Sequence, residues 1–205
     1  MKEFWDSRYA EAVYAYGKEP NQFFRDTLKK YQVAGHILLP AEGEGRNAVH
    51  AAKEGLAVTA VDISEEGKNK AMQLAKANNV SFPYTIGSLS DQAFKSQSFE
   101  AVGLIFAHFP PDLLHAYHQE FINLLRPGGL LILEGFSKNH LEKQRTNPQA
   151  GGPQNIDMLF SLEMIKADFG GLEVLELKEQ EVALAEGPYH QGLGSVVRFV
   201  GRKED

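Results

Sequence analysis

The residue types and spacing best suited to ligand chemistry lie in a glycine-rich segment, P-A-E-G-E-G-R-N at residues 40–47, which follows an apolar run. Glycine adopts positive φ and lets a ligand approach the backbone closely. The next apolar run, residues 57–61, ends at Asp62, and the carboxyl ends of adjacent parallel strands lie side by side. A carboxylate there can accept both hydroxyls of a ribose whose nucleoside lies over Gly43 and Gly45. The pattern predicts a nucleoside-binding site; the alternative is a plain turn followed by a helix-capping acid.

The same glycines also fit a dinucleotide-binding fingerprint. Gly43, Gly45 and Ala48 spell G-x-G-x-x-A, and Asp62 follows near the usual distance. Taken alone, this motif does not distinguish a nicotinamide dinucleotide from S-adenosylmethionine, so other parts of the chain have to decide between them.

Three residues are candidates for acid–base chemistry: His108, His190 and Glu186. Histidine is the usual general base near neutral pH. His108 follows the fourth predicted strand, in F-A-H-F-P-P, where a histidine bonded only to backbone is an equally good interpretation. Glu186 and His190 lie in E-G-P-Y-H-Q-G-L-G, which predicts either a substrate-pocket loop or a structural hairpin turn. The spacing of the seven histidines predicts no metal site.

An alternation of strands and helices positions these candidates. Apolar runs without a polar alternation predict strands at residues 36–39, 57–61, 80–86, 99–106 and 130–133. Strands of this kind are covered on both faces, as in a parallel sheet, and helices are predicted at 20–32, 46–54, 64–78, 111–125 and 162–168. Residues 172–184 and 195–201 predict a closing hairpin. The expected fold class is α/β: a Rossmann-like, doubly wound, mostly parallel seven-stranded sheet with a C-terminal antiparallel hairpin.

The domain organisation follows from length and composition. The 205 residues fit one domain, 1–205, with an N-terminal helical cap at 1–32. The polar stretch 137–157, which contains glycine and proline, is longer than a simple connecting loop and is predicted to be a substrate loop.

Charge and composition exclude several function classes. The net charge is −6, whereas nucleic-acid binding usually needs a basic face, so no nucleic-acid partner is predicted. The chain has no cysteine, which excludes disulfides and thiolate catalysis. No apolar run approaches the roughly 20 residues that span a bilayer, and the acidic, aromatic N-terminus does not resemble a signal peptide. We therefore expect a cytoplasmic monomer or homodimer without a membrane partner.

Several of these segments resemble class I methyltransferases. They are I-L-L-P-A-E-G-E-G-R-N-A-V at 37–49, V-T-A-V-D-I-S at 58–64 and L-L-R-P-G-G-L-L-I-L-E-G-F at 124–136. F-W-D-S-R-Y at 4–9 and E-G-P-Y-H-Q-G at 186–192 are most similar to the tellurite-resistance and thiopurine methyltransferase-like branch. The resemblance runs from about residue 4 to residue 202, and the R-P-G-G turn favours methyltransferases over nicotinamide enzymes.

This resemblance implies an enzyme that uses S-adenosyl-L-methionine to methylate a small-molecule acceptor, such as a thiol or a tellurium or selenium oxyanion. An NAD(P)-dependent oxidoreductase and a non-catalytic S-adenosylmethionine-binding protein are the alternatives. The residues implied to contact the cofactor are Glu42, Gly43 and Gly45 at the turn, Asp62 on the ribose, Ile63, Ser88 and Leu89 around the adenine, Ala107 beneath the sulfonium, and Trp5 and Tyr16 over the methionine part.

Three positions in two places depart from the family pattern. Leu39 and Ala41 stand where the family usually has an acid and a glycine, and Glu42 is the candidate replacement for the acid. Ser88 stands where an adenine-contacting acid is common, and Asp91 is its candidate substitute. These departures keep the non-catalytic interpretation open.

Overall fold

The computed structural model describes residues 1–204 and contains one mixed sheet of seven strands within that range. The strand order is β3-β2-β1-β4-β5-β7-β6. Strands β1 to β5 run parallel, and β7 is antiparallel to both β5 and β6. The bounds are β1 His36–Pro40, β2 Ala57–Asp62, β3 Tyr84–Ile86, β4 Phe99–Ile105, β5 Leu125–Phe136, β6 Leu172–Ala185 and β7 Gln191–Lys203. The predicted fold class is confirmed; residue 205, the last of the predicted domain, lies outside the described residues.

Helices cover both faces of this sheet. Their bounds are α1 Lys2–Tyr9, α2 Gln22–Lys30, α3 Arg46–Lys53, α4 Glu65–Ala77, α5 Pro111–Leu124, α6 His140–Thr146 and α7 Leu162–Asp168. Polar side chains set several starts: Asn21 accepts from the Phe24 N–H, and Ser64 from the Gly67 N–H. In the described part of the chain, helices with the length and apolar character needed to cross a bilayer are lacking.

The core has two layers because successive strand residues point to opposite faces. On β1, Ile37 and Leu39 pack with Phe24 of α2, whereas Leu38 packs with Phe121 of α5 on the other face. The strand order reverses between β1 and β4, and ligands of open α/β sheets bind at such a switch point, outside the carboxyl ends of the strands. A ligand site is therefore expected at the carboxyl ends of β1, β2, β4 and β5.

Local boundaries differ from the sequence-based expectations in three places. The third strand covers only Tyr84–Ile86 instead of residues 80–86. The R-P-G-G turn is a bulge within β5, where the pairing shifts from Phe99–Leu125 to Ala101–Leu130. Residues 137–157, expected as a loop, contain α6 and two short 3₁₀ turns. Tertiary contacts explain this last difference, since buried His140 bonds to the Gly151 carbonyl and accepts from the Ser195 N–H.

Candidate active site

The glycine-rich turn is a strained bend that brings β1, α3 and α4 together. Ala41, Gly43 and Gly45 have φ angles of 53°, 60° and 87°. A Cβ on Gly45 would lie 2.6 Å from the Cβ of Ala71 in α4, so only glycine fits there. A Cβ on Gly43 would lie 2.6 Å from the hydroxyl of Tyr9. The two glycines therefore shape the turn from behind, and Tyr9 covers it.

Asp62 at the end of β2 is tied directly to this turn. Its Oδ2 accepts from the Gly43 N–H at 2.9 Å, and its Oδ1 accepts from the Ser64 N–H at 2.9 Å. Burial raises the pKa of Asp62, and these backbone bonds oppose the rise. Each carboxylate oxygen retains acceptor capacity, and Asp62 lines the main cleft. The structure thus places Asp62 beside the glycine turn and on the cleft, and its ribose contact stays a prediction.

Glu42 is the second buried carboxyl at the turn. Its Oε1 accepts from the Ala48 N–H of α3 at 2.7 Å. Burial raises the pKa of Glu42 to about 8, against the lowering effect of this bond and of Arg46. Leu39, at the position where the family usually has an acid, is instead packed in the apolar core. Glu42 therefore supplies a carboxyl to the cleft wall that β1 does not.

The N-terminal segment is fastened over the turn by two acids that sequence reasoning missed. Asp6 accepts from the Ser64 hydroxyl at 2.6 Å and from the Glu65 N–H at 3.0 Å, which docks α1 on the start of α4. Glu44 accepts from the Ala15 N–H at 2.7 Å and pairs with Lys70 at 2.7 Å. The sequence signal was an acid beside aromatic residues, Asp6, and an acid between two glycines, Glu44. It could not identify the groups that these acids bind, because those groups are distant in the chain.

The aromatic residues of this cap form a connected stack. The rings of Trp5 and Tyr9 are stacked with centroids 5.4 Å apart. Arg8 donates to the Tyr16 hydroxyl at 3.1 Å and lies over the Tyr189 ring at 4.0 Å. Trp5 and Tyr16 both line the cleft, as expected for residues that close over a ligand.

A cleft of about 900 Å³ runs along the carboxyl ends of the strands. Ile63, Ser88 and Leu89 line one part of it. Asp91 accepts from the Ser88 N–H and hydroxyl, both at 2.7 Å, so its carboxylate is engaged locally. Ala107, predicted to lie beneath the sulfonium, has its side chain buried in the core on the α5 side, and the preceding residue, Phe106, lines the cleft.

His108 lines the cleft, but both of its ring nitrogens contact backbone groups. Nδ1 lies 2.7 Å from the Met158 carbonyl oxygen, and Nε2 accepts from the Phe136 N–H at 3.1 Å. Burial lowers the pKa of His108 to about 4. This geometry leaves no lone pair for a substrate proton and favours the alternative interpretation, a backbone-bonded histidine. The ring joins the end of β5 to the segment that carries Met158.

His190 and Glu186 form a buried pair at the opposite wall. Nδ1 of His190 lies 3.2 Å from Glu186 Oε2, which also accepts from Arg46 at 2.9 Å. Burial lowers the pKa of His190, although Glu186 opposes this. Burial would raise the pKa of Glu186, but the His190 bond and the Arg46 charge bring it to about 2. A neutral imidazole is thus held by an ionised carboxylate.

Only the histidine of this pair faces the main cleft. His190 lines it, whereas Glu186 lines a second cavity of about 640 Å³ between residues 16–30 and β6. Among residues 1–204, Nε2 of His190 has no hydrogen-bond partner. It is also not among the fully buried side-chain atoms that lack one. The pair therefore presents one free nitrogen to the cleft.

A buried ionic cluster behind this pair was not foreseen from the sequence. Asn21 donates to Glu134 at 2.6 Å and to Glu186 at 3.0 Å, and Arg198 pairs with Glu134. A glutamate inside the apolar run L-L-I-L-E-G was the one local signal. Its partners come from α2 and β7, which no spacing rule connects.

Comparisons with known proteins agree with this architecture. Residues 37–129 match the model of a methyltransferase domain family. A comparison with curated protein sequences gives no match. A solved structure from work on the conversion of a disulfide bond into a thioacetal group during echinomycin biosynthesis is 22% identical, with a TM-score of 0.79 over 100% of this chain and 92% of that chain.

Two further solved structures have the same fold. A SAM-dependent methyltransferase from Methanosarcina mazei is 18% identical, with a TM-score of 0.71 over 91% of this chain and 99% of that chain. TehB from Haemophilus influenzae is 13% identical, with a TM-score of 0.71 over 99% of this chain and 67% of that chain. At these identities the structures show the fold, and they do not select a branch.

The cleft fits the cofactor that such a domain uses. It combines a carboxylate at the end of β2, a glycine turn, an aromatic cap and a volume within the range of small-ligand sites. The matched segment 37–129 contains the glycine turn, Asp62 and the R-P-G-G bulge. The protein is a methyltransferase, and its cofactor is S-adenosyl-L-methionine.

Proposed function

We propose that this methyltransferase transfers the methyl group of S-adenosyl-L-methionine to a small-molecule acceptor bound beside His190. The observation that carries the proposal is one continuous cleft with Asp62 at one end and His190 at the other. The strand order reverses between these ends. A cofactor whose ribose binds Asp62 therefore directs its methionine part towards the ends of β4 and β5, where the acceptor would lie.

Each cofactor-binding residue then has a distinct role. Asp62 accepts the ribose hydroxyls, while Ile63, Ser88 and Leu89 enclose the adenine. Glu42 places a buried carboxyl near the methionine part, and Trp5 and Tyr16 cover that part. Gly43 and Gly45 hold the turn in the left-handed conformation that permits this close approach.

For methyl transfer, the protein has to align the cofactor with the acceptor and remove one proton. When bound, S-adenosyl-L-methionine supplies a methyl group activated by its sulfonium. The cap formed by α1 and residues 13–16 excludes water and fixes the geometry. His190 takes a proton from the acceptor at Nε2, and Glu186 holds the ring and stabilises the imidazolium that results. His108 positions the Met158 segment rather than reacting.

The residues at the His190 end of the cleft select the chemical class of the acceptor. A thiol and a tellurium or selenium oxyanion are the two classes that the resemblance to the tellurite-resistance and thiopurine branch suggests. Similarity in fold to TehB is compatible with that branch. A cytoplasmic location and a monomeric or homodimeric state remain the expectations for such an enzyme.

A thermal melting experiment tests the cofactor proposal. S-adenosylmethionine and S-adenosylhomocysteine are expected to raise the melting temperature, and NADH is expected to leave it unchanged, because only a ligand that binds the folded state stabilises it. Stabilisation by NADH alone would reject the proposal in favour of an oxidoreductase. Binding without methyl transfer to any thiol, selenite, tellurite or thiopurine would favour a non-catalytic cofactor-binding protein.

A further inference from the structure

The acceptor end of the cleft is built from flat rings. The His190 ring lies 4.5 Å from the Tyr16 ring, 4.5 Å from Phe106 and 5.1 Å from Phe136, measured between centroids. All four side chains line the cleft. Rings of this kind bind another planar ring by stacked or edge-to-face contacts.

The polar groups at this end offer little to an anion. Among the described residues, the cleft is lined by two cationic side chains, Arg8 and Arg46. Arg46 donates to Glu186 and to the Tyr16 carbonyl at 3.1 Å. Arg8 is held at the cap over the rings of Phe4 and Tyr189. The ionised Glu186 behind His190 adds negative charge, which opposes an anionic acceptor.

A segment of residues 147–153 closes over this end. A Cβ on Gly151 would lie 2.1 Å from the Tyr189 carbonyl oxygen and 2.9 Å from Cδ2 of His190. Asn147 donates to the Gln191 carbonyl at 2.7 Å. The segment therefore packs directly on the histidine, which is 4% exposed, so that an anionic acceptor would lose its hydration without a free counter-ion.

From these contacts we infer that the methyl acceptor is an uncharged aromatic molecule that carries a protic O–H, N–H or S–H group beside His190. This inference rests on the proposed methyltransferase function. It excludes the oxyanion class, because an oxyanion needs counter-charge and no base.

The proton balance supports a protic acceptor. As the acceptor heteroatom bonds to the methyl carbon, the bond from that carbon to the cofactor sulfur breaks, and the sulfur keeps the electron pair. The acceptor proton passes to Nε2 of His190. The groups that face this histidine are Glu186, Arg46, His140, Tyr16, Phe106, Phe136 and Gly151. Of these, Glu186 is the one that stabilises the imidazolium, since Arg46 and His140 oppose it.

A matched acceptor panel tests the substrate class. Phenol and aniline have the same ring, are both uncharged near neutral pH and differ in whether the attacking atom must first lose a proton, and selenite and tellurite represent the oxyanions. We expect S-adenosylhomocysteine to form with the aromatic members and not with the oxyanions. Methylation of selenite or tellurite, or failure of both aromatic probes to be methylated and to bind the S-adenosylhomocysteine complex, would overturn the inference while leaving cofactor binding intact.

Substitution of His190 tests the base. His190→Gln is expected to lower kcat for phenol by roughly 10²–10⁴-fold. For aniline, whose neutral nitrogen attacks through its lone pair before any proton is lost, the loss should be below about tenfold, because little base catalysis is needed. Added imidazole should restore part of the phenol activity in His190→Ala. Equal losses for the two acceptors would contradict the base role.

Two controls separate this inference from the proposed function. Both His190 variants should retain the melting shift with S-adenosylhomocysteine, which shows that they fold and bind cofactor. If the unsubstituted protein shows no such shift, the methyltransferase proposal itself fails. If the shift is present and the acceptor results differ from those expected, only the inference about the acceptor fails.

Discussion

Burial shifts the pKa values of the titratable groups in opposite directions at the two ends of the cleft. At the cofactor end, burial raises the pKa values of the carboxyl groups Glu42 and Asp62. At the acceptor end, burial lowers the pKa values of the imidazoles His108 and His190. Both effects follow from the cost of burying charge. Burial therefore favours the uncharged form at both ends, a protonated carboxyl at the cofactor end and a neutral imidazole at the acceptor end. The two ends should respond separately to substitution and oppositely to pH.

The largest effect is expected from Glu42 as the pH rises. Between about pH 4.5 and 8, the folded chain keeps a proton on Glu42 that the unfolded chain has lost, so the free energy of unfolding falls. A pKa near 8 corresponds to a loss on the order of 3–5 kcal/mol. Glu42→Gln should remove this slope in urea unfolding, whereas Glu65→Gln at an exposed site should keep it. An unchanged slope in Glu42→Gln would mean that the buried carboxyl is already ionised.

Removal of the Glu186 charge should give the next largest effect. Glu186→Gln leaves buried Arg46 without its counter-ion, which is expected to cost roughly 3 kcal/mol of unfolding free energy. Glu181→Gln, which breaks a surface pair with Lys143, should cost little. Affinity for S-adenosylhomocysteine, measured by titration, should be unchanged in both variants. A strong loss of affinity in Glu186→Gln would show that the two ends are coupled.

At the acceptor end, acid should be destabilising. The unfolded chain binds a proton at His108 below about pH 6.5, and the folded chain does so only near pH 4, so the free energy of unfolding falls as the pH drops through this window. The loss is roughly 3 kcal/mol, and His108→Gln should remove it. The exposed ring of His115 provides the control: His115→Gln should keep the acid loss. A His108 variant with the same acid loss would contradict the assignment of a neutral, backbone-bonded ring.

Asp62→Ala should lower the affinity for S-adenosylhomocysteine, whereas a substitution at the acceptor end should not. Loss of the ribose contact is expected to weaken S-adenosylhomocysteine binding by roughly 1–3 kcal/mol, the scale of a charged hydrogen bond. His190→Gln, at the other end, should bind it as tightly as the unsubstituted protein does. Calorimetric titration measures both, and circular dichroism verifies folding. Equal affinities for Asp62→Ala and the unsubstituted protein would place the ribose elsewhere.

The smallest effect is expected at the cap. Asp6→Asn weakens the docking of α1 on α4, so the dissociation constant for S-adenosylhomocysteine should rise by roughly two- to fivefold, as for a partly exposed polar contact. Glu3→Gln on the same helix is the matched control and should have no effect. A loss as large as that of Asp62→Ala would show that α1 contributes far more to the cofactor site than its contacts indicate.

Sequence reasoning could locate the glycine turn and the carboxylate beside it because this part of the molecule is local in the chain. The glycine turn, Asp62 and Ile63 lie within residues 40–63, where β1, α3 and β2 follow one another. Apolar runs, a turn that needs positive φ and a helix cap are properties of neighbouring residues, so they can be read without knowing the tertiary structure. The direction of the Ala107 side chain could not be predicted in this way, because the chain turns at Phe106, whose φ is 53°, and the Ala107 side chain lies in the core.

Sequence alone thus determined the α/β sheet, its hairpin and the carboxylate opposite the glycine turn, because each depends on periodicity and spacing within short segments. Only the tertiary structure decided which histidine is free: Phe136 and Met158 occupy the nitrogens of His108, whereas Glu186 and Arg46 support His190 and leave its Nε2 open. Glu186 and His190 are four residues apart, but the other contacts join segments far apart in the chain. Their formation depends on how the layers pack, and no local pattern encodes that.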